Sequence, residues 1–172
     1  KKKLQEIANF VEKKKNESGI IYCLSRKNTQ EVADYLKGEG HSVEFYHAGM
    51  NPEERETVQT DFINDDTKII VATIAFGMGI DKSNVRWVIH YNLPKNLEGY
   101  YQEIGRAGRD GLPSETRLYY NMRDFVLYSQ FADDGANTAM QKDKLNRMLQ
   151  FAEAKSCRRK ILLSYFGEHL TE

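Results

Sequence analysis

The sequence predicts an open, mostly parallel α/β sheet with helices on both faces, followed by a smaller helical unit. Short apolar runs alternate with segments of helical periodicity as far as about residue 121. The run at residues 68–73 is nearly continuous and apolar, which is typical of a parallel strand buried on both faces. From residue 122 onward only helical spacing recurs. These patterns predict a sheet domain at residues 1–121 and a helical segment at residues 122–172.

Local patterns predict each element of the sheet domain. Apolar spacing within residues 4–11 predicts a first helix. Asn28 and Glu31 have capping-box spacing and predict the start of a second helix, and Asn51 followed by Pro52 predicts the start of a third. The predicted strands are residues 20–24, 43–47, 68–73, 85–91 and 117–120. Polar segments follow several of these strands, so we expect them to gather along one edge of the sheet.

Composition limits the possible classes of function. The 172 residues are 40% hydrophobic, and Lys+Arg 25 balances Asp+Glu 25 to a formal net charge of +0. Nucleic-acid binding would therefore depend on a local patch rather than on a global field. The 2 cysteines, Cys23 and Cys157, lie far apart, which argues against a disulfide framework and favours a reducing cytosolic or nuclear compartment. No apolar run approaches membrane-spanning length.

Residues 101–111 have the composition of a phosphate-binding segment. They place Arg106 and Arg109 among glycines, just after a predicted helix. On a helical turn, residues at this spacing are neighbours on one face, and a guanidinium group matches phosphate oxygens as a planar fork. The alternative is an ordinary helix end, with both arginines in surface salt bridges to Glu103 and Asp110.

Residues 73–81 form a second candidate segment. A predicted strand leads into a turn that contains Gly79 and ends at Asp81. Backbone N–H groups in such a turn can hold a phosphate, and a carboxylate suits a ribose hydroxyl. Alone, the segment would be interpreted as a tight turn capped by an aspartate.

Together, residues 73–81 and 102–111 resemble the signature of the second motor domain of superfamily-two helicases, specifically the RecQ family. The resemblance extends over nearly the whole chain and implies a RecA-like fold. It also covers segments resembling motif four, a nucleic-acid-contacting loop and the start of the zinc-binding subdomain. These further segments are residues 20–26, 47–50, 156–160 and 164–168.

The resemblance also implies roles for individual residues. Arg106 and Arg109 would be arginine fingers that reach the γ-phosphate of ATP, with Gln102 helping to position them. Gly79 and Asp81 would complete the nucleotide-binding edge. The implied contacts with the DNA backbone are Ser25, Arg26, His47 and Thr73. The implied partners are single-stranded DNA, duplex junctions and a first motor domain, and the implied polarity is three-prime to five-prime.

Two motifs are absent from the sequence. No G-x-x-x-x-G-K-[ST] frame occurs, so ATP and Mg²⁺ would be held mainly by the first motor domain, and we expect this chain alone to be inactive. The family's zinc site needs four cysteines, of which only Cys157 matches, so Zn²⁺ is expected only in the full-length protein. Both absences fit a segment of a longer enzyme.

Two alternatives remain open at this stage. One is an RNA helicase of the same superfamily, but those more often carry His-Arg where this chain has Tyr101 and Gln102. The other is a non-catalytic binding or interaction module that keeps the fold. Retention of both arginines argues against that second alternative.

Overall fold

The computed structural model describes residues 1–73, 81–133 and 137–167, and it divides into two compact units. The first unit comprises Lys1–Tyr91 and Glu103–Arg117, and the second comprises Asn92–Gln102 and Leu118–Glu172. The strands are β1 (Ser18–Tyr22), β2 (Val43–Tyr46), β3 (Ile69–Ala72), β4 (Val85–His90) and β5 (Glu115–Leu118). The helices are α1 (Lys2–Lys13), α2 (Arg26–Gly38), α3 (Pro52–Ile63), α4 (Leu97–Ile104), α5 (Met122–Asp133), α6 (Thr138–Glu153) and α7 (Arg158–Tyr165).

Within the described residues, the strands form one sheet in the order β2-β3-β1-β4-β5. The pairings of β1 with β3, of β1 with β4 and of β2 with β3 are all parallel. Every residue of β1 and β3 is buried, as the apolar runs predict for central strands. The predicted α/β class with a parallel sheet is therefore confirmed.

Helices cover both faces of the sheet. On one face, Ile20 and Ile70 pack in a core cluster with Phe62 of α3. On the other face, the ring of Phe10 in α1 meets the indole of Trp87 edge-on, with ring centroids 5.6 Å apart. Successive strand residues point to opposite faces, so continuous burial along a strand requires a layer on each side.

Helix starts depend on local capping. Asn51 and Glu54 form a complete capping box with Pro52 at the first turn of α3, as predicted. The predicted start of α2 at Asn28 is wrong, because α2 begins at Arg26. Ser25 caps it, with its Oγ accepting a hydrogen bond from the Asn28 N–H at 3.1 Å.

An ion pair between buried Lys82 and exposed Asp65 connects the end of α3 to the segment before β4. The ammonium of Lys82 donates to Asp65 Oδ1 at 2.7 Å and to the Ile63 carbonyl at 3.4 Å. The Lys82 side chain is only 2% exposed. The hydrogen bond from Lys82 holds the pKa of Asp65 below its usual value, and Ser18 donates to the same carboxylate.

The second unit is helical and has its own core. Leu145, Met148 and Phe151 of α6 are buried, and Tyr100 of α4 packs on Phe151 with ring centroids 5.3 Å apart. The buried carboxylate of Asp124 accepts hydrogen bonds from the side chain of Asn92 at 3.2 Å and from the backbone of Leu93 at 3.1 Å. The predicted helical region at the end of the chain is therefore confirmed, while the predicted boundary at residue 121 stays a prediction.

In the part of the chain that the structure describes, no helix combines the length and apolar character needed to cross a membrane.

Candidate functional site

The first cluster of candidate residues lies at the carboxyl ends of β1 and β2 in the first unit. Arg26 follows β1, and His47 and Gly49 follow β2. A Cβ atom at Gly49 would lie 2.9 Å from Nη1 of Arg26 and 3.1 Å from the His47 ring. Glycine therefore lets the guanidinium and the imidazole approach the same stretch of backbone. Among the described residues, the Arg26 guanidinium forms no ion pair, so its charge is available to an anion.

His47 is held in one orientation. Its Nδ1 accepts a hydrogen bond from the Gly49 N–H at 3.1 Å, and its ring stacks on Phe45 with centroids 5.5 Å apart. Its Nε2 lies 3.4 Å from the side-chain nitrogen of Gln30. Because Nδ1 is the acceptor, the neutral ring carries its proton on Nε2, and the side-chain oxygen of Gln30 can accept from it once the amide is rotated. His47 is only 7% exposed, so it supports the loop as well as bordering the cluster.

Ser25 and Thr73 lie at the same edge of the sheet. The backbone N–H of Thr73 donates to the carbonyl of Tyr46, the last residue of β2, at 3.2 Å. The Ser25 hydroxyl oxygen accepts the capping hydrogen bond of α2 from the Asn28 N–H, and its O–H can still donate. The structure thus brings Ser25, Arg26, His47 and Thr73 to the carboxyl ends of β1, β2 and β3, while their contacts with DNA stay a prediction.

The arginine segment, residues 105–110, follows a path that the sequence does not predict. Helix α4 ends at Ile104, so the arginines lie in successive turns rather than on a helical face. The N–H of Gly108 donates to the carbonyl of Val85 at 2.9 Å, and the N–H of Asp110 donates to that of Ser83 at 3.1 Å. The segment therefore begins next to Glu103, which contacts His90 at the end of β4, and reaches Val85 at the start of the same strand.

The carboxylates beside the arginines have other partners. Glu103 Oε1 lies 3.4 Å from Nε2 of His90, and Asp110 is paired with the guanidinium of Arg86. The hydrogen bond from Arg86 also holds the pKa of Asp110 below its usual value. Among the described residues, neither arginine of the segment forms an ion pair. The alternative of a helix end closed by surface salt bridges is therefore not what the structure contains.

Arg106 and Arg109 differ in exposure and in contacts. Arg109 is exposed and its Nε donates to the carbonyl of Gly105 at 3.1 Å, which folds the side chain back toward the end of α4. Arg106 is half-buried. Burial raises the pKa of Tyr22 and the negative charge of Glu103 adds to this effect, whereas Arg106 and Arg109 oppose it. Both arginines therefore act on the same buried hydroxyl.

The remaining predicted nucleotide contacts are only partly described. Asp81 is exposed and lies two residues before Ser83, whose carbonyl the arginine segment contacts. Gly79 lies outside the described residues. Gln102 is exposed on α4 and belongs to the second unit. The structure thus places Asp81 close in sequence to Ser83, which the last part of the arginine segment contacts, while the roles of all these residues stay predictions.

Cys157 is the cysteine predicted to bind zinc. It is exposed at the N-cap position of α7, where the nearby backbone N–H groups of Lys160 and Arg159 lower the pKa of its thiol. Zinc binds the thiolate form, so this environment suits a ligand. Within the described residues, no group of three or more metal-binding side chains occurs. The role of Cys157 as a zinc ligand stays a prediction.

Comparison with known proteins shows the family. Residues 2–111 match the model of the helicase conserved C-terminal domain. The solved structure of the C-terminal domain of the DEAD-box protein Dbp5 has a TM-score of 0.63 at 25% identity, covering 77% of each chain. The chain therefore belongs to the helicase conserved C-terminal domain family.

Within that family, the relationship to RecQ is also confirmed. Residues 122–172 match the RecQ zinc-binding family. The chain is 47% identical over 171 residues to the ATP-dependent DNA helicase RecQ of Haemophilus influenzae, covering 98% of this chain and 28% of that protein. It is also 48% identical over 170 residues to a putative ATP-dependent RNA helicase, R290, of Acanthamoeba polyphaga mimivirus, covering 97% of this chain and 31% of that protein.

Several residues that shape the site were not found from the sequence. Gln30 contacts His47, and Arg86 forms an ion pair with Asp110. His90 contacts the carboxylate of Glu103. Only Gln30 had a local signal, because it lies four residues after Arg26 on the same helix and so shares its face. The other two depend on contacts between segments far apart in the chain.

Proposed function

We propose that the chain is the second RecA-like motor domain, with the start of the zinc-binding subdomain, of an ATP-dependent RecQ-type DNA helicase acting in DNA repair and recombination. The observation that carries this proposal is the arginine segment. Glu103 and Asp110 are engaged by His90 and Arg86, which leaves Arg106 and Arg109 without a neutralising carboxylate among the described residues. Two permanent positive charges are thus available to a phosphate.

In this proposal, hydrolysis occurs in the cleft between this domain and a first motor domain that holds ATP and Mg²⁺. Arg106 and Arg109 act as arginine fingers, because charge on the transferred phosphoryl group is stabilised by a guanidinium more strongly in the transition state than in the ground state. Gln102 helps to position them. Gly79 and Asp81 complete the nucleotide-binding edge.

The strand-end cluster, which consists of Ser25, Arg26, His47 and Thr73, contacts the phosphate backbone of one DNA strand. Closure and opening of the cleft move the enzyme along that strand in the three-prime to five-prime direction. Its substrates are single-stranded DNA and duplex junctions. The full-length protein holds Zn²⁺ with Cys157 as one ligand, and it works in the cytoplasm of a bacterium or in the nucleus of a eukaryote.

The decisive test uses the full-length enzyme and Arg109→Ala. We expect DNA-stimulated ATP turnover to fall by roughly 10³ to 10⁵, the range for loss of an arginine finger. Arg109→Lys should fail as well, because an ammonium keeps the charge but loses the planar fork. Turnover is measured beside ATP affinity and the melting temperature, which should both stay close to wild type.

The matched control is Arg123→Ala, which removes an exposed arginine of α5. It should leave turnover unchanged. Near wild-type turnover of Arg109→Ala, or loss of turnover only through unfolding, would show that the arginine segment is structural. The isolated chain should hydrolyse no ATP, because it lacks the phosphate-binding loop.

An RNA helicase is the second candidate, since the viral relative carries that name. The RecQ zinc-binding match and the bacterial RecQ relative favour DNA over RNA. The two candidates differ in the nucleic acid that stimulates turnover, so parallel assays with single-stranded DNA and RNA of the same sequence separate them. A non-catalytic module would show no stimulated turnover with either.

A further inference from the structure

Three buried polar side chains lie in the first unit at the point where the arginine segment begins. They are Tyr22 at the end of β1, His90 at the end of β4 and Glu103 in the last turn of α4. Tyr22 and His90 are each 2% exposed and Glu103 is 9% exposed. Such burial leaves little of these side chains exposed to nucleotide or DNA, so we expect an effect of Glu103 on catalysis to pass through a neighbour.

Glu103 makes two contacts that connect the sheet to the arginine segment. Its Oε1 lies 3.4 Å from Nε2 of His90, and the His90 ring stacks on Tyr22 with centroids 5.3 Å apart and an interplanar angle of 23°. Its backbone carbonyl accepts a hydrogen bond from the N–H of Arg106 at 3.3 Å. One residue therefore meets β4 through its side chain and the turn of Arg106 through its backbone.

This arrangement fixes where the segment leaves the helix. A helix end that is held only by its own backbone frays. The contact between Glu103 and His90 instead fixes the position of the residue from which the turn of Arg106 starts. Arg106 follows directly in that turn, and Ala107 packs partly into the sheet core. The direction of the Glu103 carboxylate also matters, because its Oε1 contacts His90 and the carboxylate forms no ion pair with Arg106 among the described residues.

The electrostatics of Tyr22 agree with this geometry. The negative charge of Glu103 and the positive charges of Arg106 and Arg109 all influence the pKa of the Tyr22 hydroxyl. Glu103 and both arginines are therefore close enough to the Tyr22 hydroxyl for their charges to influence it.

We infer that Glu103 is a positioning residue for Arg106, acting through its contact with His90. This inference rests on the proposed function, in which Arg106 acts on the transferred phosphoryl group. Glu103 does not touch the reacting atoms; it sets the starting point of the turn from which Arg106 reaches them.

The test is Glu103→Leu in the full-length enzyme. Leucine removes the contact with His90 but is tolerated in a buried position. We expect kcat for DNA-stimulated ATP turnover to fall roughly 10²-fold, the cost of misplacing a catalytic group by about 1 Å. ATP affinity and the melting temperature should stay close to wild type. Glu103→Gln should retain most of the turnover, because glutamine has the same shape and keeps an oxygen beside Nε2 of His90.

A double-mutant comparison separates positioning from general structural damage. In an Arg106→Ala background, Glu103→Leu should lower kcat no further, because the residue through which it acts is already gone. A matched substitution on the same helix, Glu98→Leu, breaks the contact with Tyr165 instead and should leave kcat unchanged. If Glu103→Leu does not fold, His90→Leu removes the same contact from the other side and carries the same expectations.

The outcomes are distinct. An equal loss of kcat in the wild-type and Arg106→Ala backgrounds, or no loss from Glu103→Leu or His90→Leu, overturns the inference while leaving the proposed function intact. Wild-type turnover by Arg106→Ala itself overturns the role proposed for that arginine, and with it this inference.

Discussion

Gly108 carries the arginine segment through a backbone conformation that other residues rarely adopt. Its φ is +66°, and its N–H donates to the Val85 carbonyl at 2.9 Å. A Cβ atom at this position would lie 2.8 Å from Oγ of Ser114 and 3.2 Å from the Leu112 carbonyl. Both the conformation and the space therefore require glycine where the segment meets β4.

We predict that Gly108→Ala destabilises the chain by about 2 to 4 kcal/mol, the sum of left-handed strain and local overpacking. Gly111→Ala is the matched control, since its φ is +79° but nothing lies within 4 Å of its Cβ position. It should cost only about 1 kcal/mol, from strain alone. Denaturant unfolding of the two variants measures the difference, and equal losses would contradict the contact with Ser114.

The ion pair between Asp65 and Lys82 predicts that the free energy of unfolding depends on pH in the acid range. Because the folded state holds the pKa of Asp65 below its usual value, mainly through the Lys82 hydrogen bond, folding favours the ionised form. This contribution is present above the unfolded pKa of about 3.9 and is lost as pH falls through the folded pKa. The free energy of unfolding should therefore decrease below about pH 4.

Asp65→Asn should flatten this acid dependence and lower the stability at neutral pH. Asparagine suits the site because the φ of Asp65 is +62°, a conformation that asparagine tolerates. Asp66→Asn, at the adjacent exposed position, should keep the wild-type dependence. Urea unfolding between pH 3 and pH 7 is the measurement, and an unchanged profile in Asp65→Asn would assign the effect to other carboxyl groups.

At the scale of elements, the packing of β1 against β4 depends on Gly19. The indole of Trp87 occupies the space where a Cβ atom of Gly19 would stand, at 1.9 Å from the nearest ring atom. Trp87 is fully buried and also meets Phe10 of α1. Gly19 thus allows the largest side chain of the core to lie against a neighbouring strand.

Gly19→Ala should destabilise the chain by about 3 kcal/mol or more, because neither the indole nor the paired strands can move freely. The control is Gly38→Ala at the end of α2, where nothing lies within 4 Å of the Cβ position. That change should be neutral or stabilise by about 0.4 to 1 kcal/mol, through the unfolded state. A melting curve for each variant checks the prediction, and a stable Gly19→Ala would mean that Trp87 repacks.

Much of the element order could be predicted because strands and helices here follow local patterns. The apolar runs predict β1 to β4, although β1 begins at Ser18 and not at residue 20, because pairing with β3 and β4 extends it. The last strand, β5, lies two residues earlier than the predicted residues 117–120. The start of α2 was missed because Ser25 and Asn28 are both capping residues, and sequence alone does not choose between them. The path of the arginine segment depends on bonds to Ser83 and Val85, which no local pattern reveals.

At the scale of the whole molecule, the net charge of +0 places any attraction to DNA in local patches. Arg26 is the clearest such charge in the first unit, since its guanidinium lies over Gly49 beside His47. The adjacent residue, Lys27, has a different environment. The Lys27 side chain is 84% exposed and its ammonium lies 3.8 Å from Glu31 on the same helix. The two residues carry the same charge, but only one belongs to the strand-end cluster.

We therefore predict that Arg26→Ala and Lys27→Ala differ in how they change binding of this chain to single-stranded DNA. Wild-type binding should be weak and should fall steeply with salt, because each phosphate contact releases counterions. Loss of one contact should reduce the slope of log K against log salt by about 0.7, and we expect this reduction for Arg26→Ala alone. Both variants lower the net charge equally, so a general field effect would alter both slopes alike. Fluorescence anisotropy with a labelled oligonucleotide at several salt concentrations measures the slopes. Identical slopes for the two variants would remove Arg26, and the cluster around it, from the proposed DNA track.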